Sequence, residues 1–299
     1  MKKYILTLLT IIFCALTSTA QVLTPEDNSV YKKIKHQKKT VKQYAPLREA
    51  DVMWSRKIWR EIDLRQKINH PFYYPKNNGS PEASVTDDRK SLIDVIYAAI
   101  KEGSITAYGN AVYDDEFREE MSQDDIKSIG GARQEMSTTI DSELIKQGVD
   151  LEFARKDTFI NIPFDRNTVK KWRVKEEWFF DKQRSVMDVR IIGLAPLQET
   201  KNEITGRLTG GFSPLFWVYF PEARNVLINA ECFNLVKNNA ERRTYDDIFW
   251  KRMFGSTITK ESSVMDRKVN QYMVGLDALL EAERIKTEIF NIEHDLWEY

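Results

Sequence analysis

The sequence predicts an α+β fold: mixed helices packed on a mainly antiparallel sheet, with a C-terminal amphipathic helix. Three observations lead there. Trp172, Val174, Glu176, Trp178 and Phe180 alternate with Arg173, Lys175, Glu177 and Phe179, and after Asp181-Lys182-Gln183-Arg184 a second run spans Val186 to Ile192. Two such runs joined by a short polar connection read as a β-hairpin. Apolar residues recur with helical spacing at Leu92, Ile96, Ala99 and Ile100, and again from Ala278 to Leu296. No period of roughly 20 to 50 residues repeats, which counts against solenoids and propellers.

The first element is a leader. Lys2 and Lys3 precede an apolar run from Ile5 to Leu16, and Ser18-Thr19-Ala20 is a small-residue exit, so residues 1–20 read as a secretory signal peptide cut before Gln21. The run is shorter than the roughly 20 residues a spanning helix needs. Cys14 follows Phe13 rather than the small residue that lipid attachment favours. Removing the leader leaves Cys232 as the single cysteine, so no internal disulfide can form and stability has to come from packing. Cys232 sits in Ala230-Glu231-Cys232-Phe233 and reads as a small buried hydrophobe.

Residues 21–46 read as a basic extended arm. Lys32, Lys33, Lys35, Lys38, Lys39 and Lys42 fall between Tyr31 and Gln43 with no acid among them, which fits either a solvated leader or an electrostatic strap onto an acidic partner or membrane surface. An α+β core is expected over 47–265. Ala50, Trp54, Ile58 and Ile62 recur at i+4 beside Met53 and Trp59, predicting an amphipathic helix ended by Asn69 and Pro71. Pro71-Phe72-Tyr73-Tyr74-Pro75 and Asn77-Asn78-Gly79-Ser80-Pro81 predict a loop whose aromatics clamp it to the domain. Asp87 or Asp88 is the expected cap of the helix over 92–100, and Gly103 its stop.

Ser104 to Tyr113 reads as extended, followed by a short helix around Phe117 and Met121 and by polar or glycine breaks at Asp124-Asp125 and Gly130-Gly131. Leu215 to Phe220 predicts a buried central strand, and Pro221 starts a helix through Leu227. Thr244 and Asp247 have capping-box spacing ahead of a helix ending near Gly255. In the last segment, 266–299, Ala278, Ala282, Ile285, Ile289, Ile292 and Leu296 alternate in steps of 4 and 3. That stripe either docks on its own domain or is offered to a partner; in the second case Ile285, Ile289, Ile292 and Leu296 are the partner-binding residues.

Balanced charge narrows the function. With 45 Lys and Arg against 45 Asp and Glu, the body lacks the basic excess of a nucleic-acid binder. His36, His70 and His294 have no second ligand at metal-binding spacing, and no zinc-protease, nucleophile-elbow, P-loop or dinucleotide motif occurs. No catalytic residue, metal ligand or cofactor is predicted. Acidic doublets at Asp87-Asp88, Asp114-Asp115, Asp124-Asp125 and Asp246-Asp247 could serve a glycosidase, yet adjacent side chains diverge and several sit where helix starts need caps. Trp54, Trp59, Trp172, Trp178 and Trp217 could be stacking platforms of a glycan-binding protein or glycoside hydrolase; they also fit apolar faces where core packing is ordinary.

Longer stretches carry a family resemblance. Glu49 to Pro75 (Glu-Ala-Asp-Val-Met-Trp-Ser-Arg-Lys-Ile-Trp-Arg-Glu-Ile-Asp-Leu-Arg-Gln-Lys-Ile-Asn-His-Pro-Phe-Tyr-Tyr-Pro), Leu92 to Tyr108, Glu176 to Phe180 with Ile191 to Pro196, and Thr244 to Ser256 resemble the gliding-motility GldN family, also called PorN. The resemblance covers about Leu47 to Lys260 and omits the arm and the C-terminal tail. It implies a non-enzymatic periplasmic component of the type IX protein secretion system. It also implies assembly with an outer-membrane lipoprotein, GldK or PorK, in a ring coupled to the inner-membrane GldL and GldM motor proteins. A GldM/PorM-like periplasmic domain is a further implied partner. Ring closure requires a head-to-tail self-interface.

Overall fold

A strand, β1 (Val52–Asp63), stands where the spacing of Ala50, Trp54, Ile58 and Ile62 predicted a helix. A step of four is common to both periods, being close to one helical turn and equal to two strand repeats. The intervening residues separate them. Val52, Trp54, Ile58, Trp59 and Ile62 are β-branched or aromatic, which favours a pleated surface. As a strand, β1 buries Ile58 and Ile62 on one face and Trp59 on the other.

The computed structural model describes residues 39–75, 89–140, 155–201, 207–235, 238 and 240–295. The signal peptide, arm residues 21–38, the turn over 77–81, Asp87, Asp88 and Leu296 lie outside them. After β1 come α1 (His70–Tyr73), α2 (Leu92–Lys101), β2 (Ala107–Tyr108), α3 (Gln123–Ser128), β3 (Arg133–Ile140) and β4 (Arg155–Ile162). Then come β5 (Val169–Asp181), β6 (Val186–Lys201), β7 (Leu208–Pro214), β8 (Trp217–Tyr219), α4 (Phe220–Leu227), β9 (Glu231–Cys232), β10 (Arg243–Thr244), α5 (Tyr245–Trp250), β11 (Thr257–Glu261) and α6 (Leu276–Asp295). All of these elements belong to the compact unit that begins at Thr40.

Seven strands form one antiparallel sheet in the order β11-β1-β5-β6-β8-β2, with β7 pairing off β6. The predicted hairpin is its centre: β5 and β6 pair from Asp181↔Val186 to Val169↔Gln198. Asp181 closes the turn, accepting from the Gln183 amide and from Arg184 Nε at 2.6 Å. β3 and β4 make a separate two-stranded ribbon, with exposed Met136 paired to exposed Phe159. The predicted buried strand over 215–220 is shorter than expected. β8 holds three residues, and Phe220 already begins α4.

One face of the sheet carries the main core. Ile62, Trp172, Val174, Ile191 and Leu194 pack there against Leu92, Ile96 and Ile100 of α2, Ala223 and Leu227 of α4, and Ile248 and Phe249 of α5. Farther along the same face, Ile58 joins Ile258, Val269 and Ala282, Ile285 and Ile289 of α6 in a second cluster. Strand register puts Arg60 between Ile58 and Ile62, with Val174 and Glu176 among the facing residues of β5. Glu176 is fully buried, 3.0 Å from Arg60 Nε and 2.8 Å from an Arg252 terminal nitrogen, and it accepts from Trp178 Nε1 at 3.1 Å. A charged layer therefore separates the two apolar clusters.

Local signals explain the helix ends. Ser91, not Asp87 or Asp88, caps α2: its hydroxyl oxygen accepts from the Asp94 amide. Gly103 comes next with φ +72, the left-handed stop expected of it. No helix forms around Phe117, which has φ 60; the helix begins at Gln123 because Ser122 and Asp125 close a capping box. Asp124-Asp125 is thus a helix start rather than a break. Thr244 and Asp247 close the predicted box at α5, which ends at Trp250, short of Gly255. Thr244→Ala is expected to cost about 1 kcal/mol in urea unfolding, the ordinary worth of a cap.

Aromatics clamp the segment after β1, as the proline-bracketed run suggested. Phe72 is buried with ring contacts to Tyr245, Phe249 and Phe254 at 6.1, 5.3 and 6.4 Å. Asn69 ties the same segment to the far end of the chain: its amide nitrogen donates to the Gly255 carbonyl at 2.9 Å and its oxygen accepts from the Gly255 amide at 2.9 Å. The end of the basic arm is also held. Tyr44 stacks on Trp250 with ring centroids 5.1 Å apart, and Arg190 donates to the Ala45 carbonyl at 2.6 Å.

Candidate interaction surfaces

The acidic doublets among the described residues, Asp114-Asp115, Asp124-Asp125 and Asp246-Asp247, are engaged in caps, turns and ion pairs. Asp246 takes a two-pronged ion pair from Arg224, 2.8 and 3.2 Å, both side chains buried. Asp247 and Asp125 are capping-box acids. Asp115 accepts from Trp59 Nε1 at 2.6 Å and from Lys175 Nζ at 3.2 Å, while Asp114 accepts from the Glu116 amide. Among the described residues, no group of three or more His, Cys, Asp and Glu side chains could hold a metal ion. No helix among them is long and apolar enough to cross a membrane.

Cys232 is buried, and desolvation pushes its thiol pKa up to about 12. The thiolate is the reactive form, so this cysteine behaves as a core side chain. Alkylation of the native protein at pH 8 is expected to proceed only at the rate of local or global opening; labelling as fast as in 6 M guanidinium would contradict this burial.

Trp59, Trp172 and Trp217 line cores and a cleft floor. Of the five candidate platforms, Trp172 and Trp217 are about 1% exposed and Trp59 is 6% exposed, so these three present no free ring face for a sugar, while Trp54 and Trp178 are half-buried against the second core cluster. On the face of the sheet opposite the main core, Trp59, Ala195, Trp217 and Ala111 pack together. The connection from Gly109 to Met121 crosses them. It is fixed by Trp217 Nε1 donating to the Ala111 carbonyl at 3.1 Å and by the Phe117 ring, 6.1 Å from Trp217. Gly193 of β6 permits that approach, since a Cβ there would stand 2.5 Å from the Phe117 ring.

Beside this connection lies a polar cleft of about 300 Å³ whose lining includes Trp59, Tyr113, Arg118, Arg173, Lys260 and Lys268. Lys260 lies 4.4 Å from the Trp59 ring centre and pairs with Asp266 at 2.8 Å. Arg173 pairs with Glu61 at 2.8 Å. Burial, with Arg173 next, lowers the Lys268 pKa below its ordinary value. The recess thus has a lining of mixed charge whose carboxylates Asp115 and Asp266 are engaged by Lys175 and Lys260.

The C-terminal stripe turns inward. Ile285 and Ile289 are buried against Ile58, Ile258 and Val269, and Ile292 is half-buried; Leu296 lies outside the described residues. Of the two readings of this stripe, the structure places Ile285 and Ile289 in the chain's own core. Charges secure the helix: Arg56 bridges Glu261 at 3.1 Å and Glu288 at 2.9 Å. Leu276, Leu279, Leu280 and Phe290, which sequence reasoning did not single out, remain exposed. Their own spacing of 3, 1 and 10 residues contained the signal, masked by the more regular inner stripe.

A protein-family model described as "Gliding motility associated protein GldN" matches residues 47–298. The chain belongs to the GldN family. The match runs through α6, past Lys260 where the resemblance read from the motifs stops, so the C-terminal helix is part of what defines the family. The description of the family associates it with gliding motility. No curated protein matches the chain.

Proposed function

We propose that this chain is a non-enzymatic periplasmic subunit of the type IX protein secretion and gliding-motility machinery. It assembles with an outer-membrane lipoprotein of the GldK/PorK kind into a ring and is held at the outer membrane through that lipoprotein rather than by its own lipid. A GldM/PorM-like periplasmic domain is the second partner. Family membership over residues 47–298 is the observation that carries this reading. The signal-like leader at residues 1–20 and the structural employment of the acidic doublets at 124–125 and 246–247 support it.

Two measurements test it. A tagged chain purified from envelopes should bring down a lipoprotein, and a clean deletion, with any second gene copy also removed, should stop secretion of cargo bearing C-terminal signals. Normal secretion in that strain would sink the proposal.

A further inference from the structure

α6 has two apolar sides. One is spent on the core, where Ala282, Ile285 and Ile289 are buried. On the other, Leu276, Leu279, Leu280 and Phe290 are 69, 56, 61 and 64% exposed, and Val274 just ahead of the helix is 82% exposed. At about 100° per residue, positions 276, 279, 280, 283, 287 and 290 fall within about a third of the circumference, roughly opposite the buried stripe. Single exposed leucines need no explanation, but an aligned set on a helix whose core side is already filled marks an interaction face.

The charge on this helix restricts what can cover it. α6 carries six carboxylates, Asp277, Glu281, Glu283, Glu288, Glu293 and Asp295, against Arg284 and Lys286. Glu281 and Glu288 are engaged by Arg284 and Arg56. Glu283 lies within the exposed stripe, paired to the exposed Lys286 at 2.8 Å, a contact worth little in water. Pairing α6 with a second α6 would set two acidic helices against each other, which like-charge repulsion opposes.

We propose that the outer face of α6 docks a basic amphipathic helix of a partner protein. Its apolar residues meet the stripe from Leu276 to Phe290, and its Lys and Arg residues face the carboxylates of α6. A straight 20-residue helix, about 30 Å long, suits helix-on-helix packing, and opposite charge sets partner choice and orientation. The proposal rests on the reading of the chain as a partner-binding subunit and names the chemistry of one partner.

The probes are three labelled 18-residue peptides of amphipathic pattern, made from Leu and Lys, Leu and Glu, or Ser and Lys. Each is titrated into the full chain by fluorescence anisotropy at about 0.15 M salt, where exposed charges beyond roughly 8 Å are screened. The Leu/Lys peptide is expected to bind saturably, with the other two at least tenfold weaker. Leu279→Ser with Leu280→Ser should weaken it at least tenfold while leaving the thermal melt unchanged, and Glu283→Lys should weaken it severalfold. Unchanged binding in the double variant, or equal binding of the Ser/Lys peptide, overturns the proposal. So does self-association of the wild-type chain that the double variant disperses, because a second copy would then be the occupant. The titration needs no secretion assay, so it can fail while the proposed function stands, and the deletion test can fail while the titration succeeds.

Discussion

Ile289→Asp is expected to strip α6 from the sheet and destabilise the domain by at least about 4 kcal/mol. The side chain is 3% exposed among Ile58, Ile258 and Val269, so the substitution both opens a cavity and places a carboxylate in an apolar site. Leu279→Asp, one face away on the same helix, should cost under about 0.5 kcal/mol, since its parent side chain is largely in water. Paired urea melts, with limited proteolysis of the C-terminal helix, measure the contrast. Equal melts would mean that α6 does not belong to the core. Acid should loosen the same helix. Hydrogen bonding to Arg56 lowers the Glu288 pKa and hydrogen bonding to Arg284 lowers that of Glu281. A depressed folded-state pKa contributes stability above the ordinary value of 4.5 that is lost as pH falls through the folded value. Protease cleavage within residues 276–295 should therefore rise below about pH 4.5, before the main sheet unfolds.

Glu176→Gln is the second large effect, expected to cost about 3 to 5 kcal/mol. Glu176 is fully buried and is the counter-charge of Arg60, whose own guanidinium is almost fully buried. Burial pulls the Arg60 pKa below its ordinary value while Glu176 opposes that shift, so removing the carboxylate leaves an uncompensated buried cation. Arg252 can turn outward because its side chain is already 28% exposed; Arg60 has no such route. The double replacement Arg60→Met with Glu176→Met should recover most of the loss, since apolar groups of similar volume often replace a buried pair without penalty. Urea unfolding of the single and double variants checks this. A double variant no better than Glu176→Gln would locate the stabilisation elsewhere, in packing around Trp178.

Much of the fold was legible where local chemistry is unambiguous. The β5–β6 hairpin, the Pro221 helix start, the Thr244–Asp247 capping box and Gly103 all depend on contacts within a few residues. β1 was misread because Trp54, Ile58 and Ile62 satisfy both periods, and only pairing to β5 along its whole length resolves the tie. Phe117 was assigned to a helix because its packing on Gly193, a strand remote in sequence, has no local signature.

The candidate surface divides in the same way. Residue identity and spacing alone establish the family, the class of fold and the existence of a regular C-terminal stripe, since each is written directly in the order of side chains. Which side of α6 faces inward is settled in three dimensions. Both sides hold large apolar residues, and burial depends on what stands opposite: Ile58, Ile258 and Val269 meet Ile285 and Ile289, while Leu276, Leu279, Leu280 and Phe290 meet water.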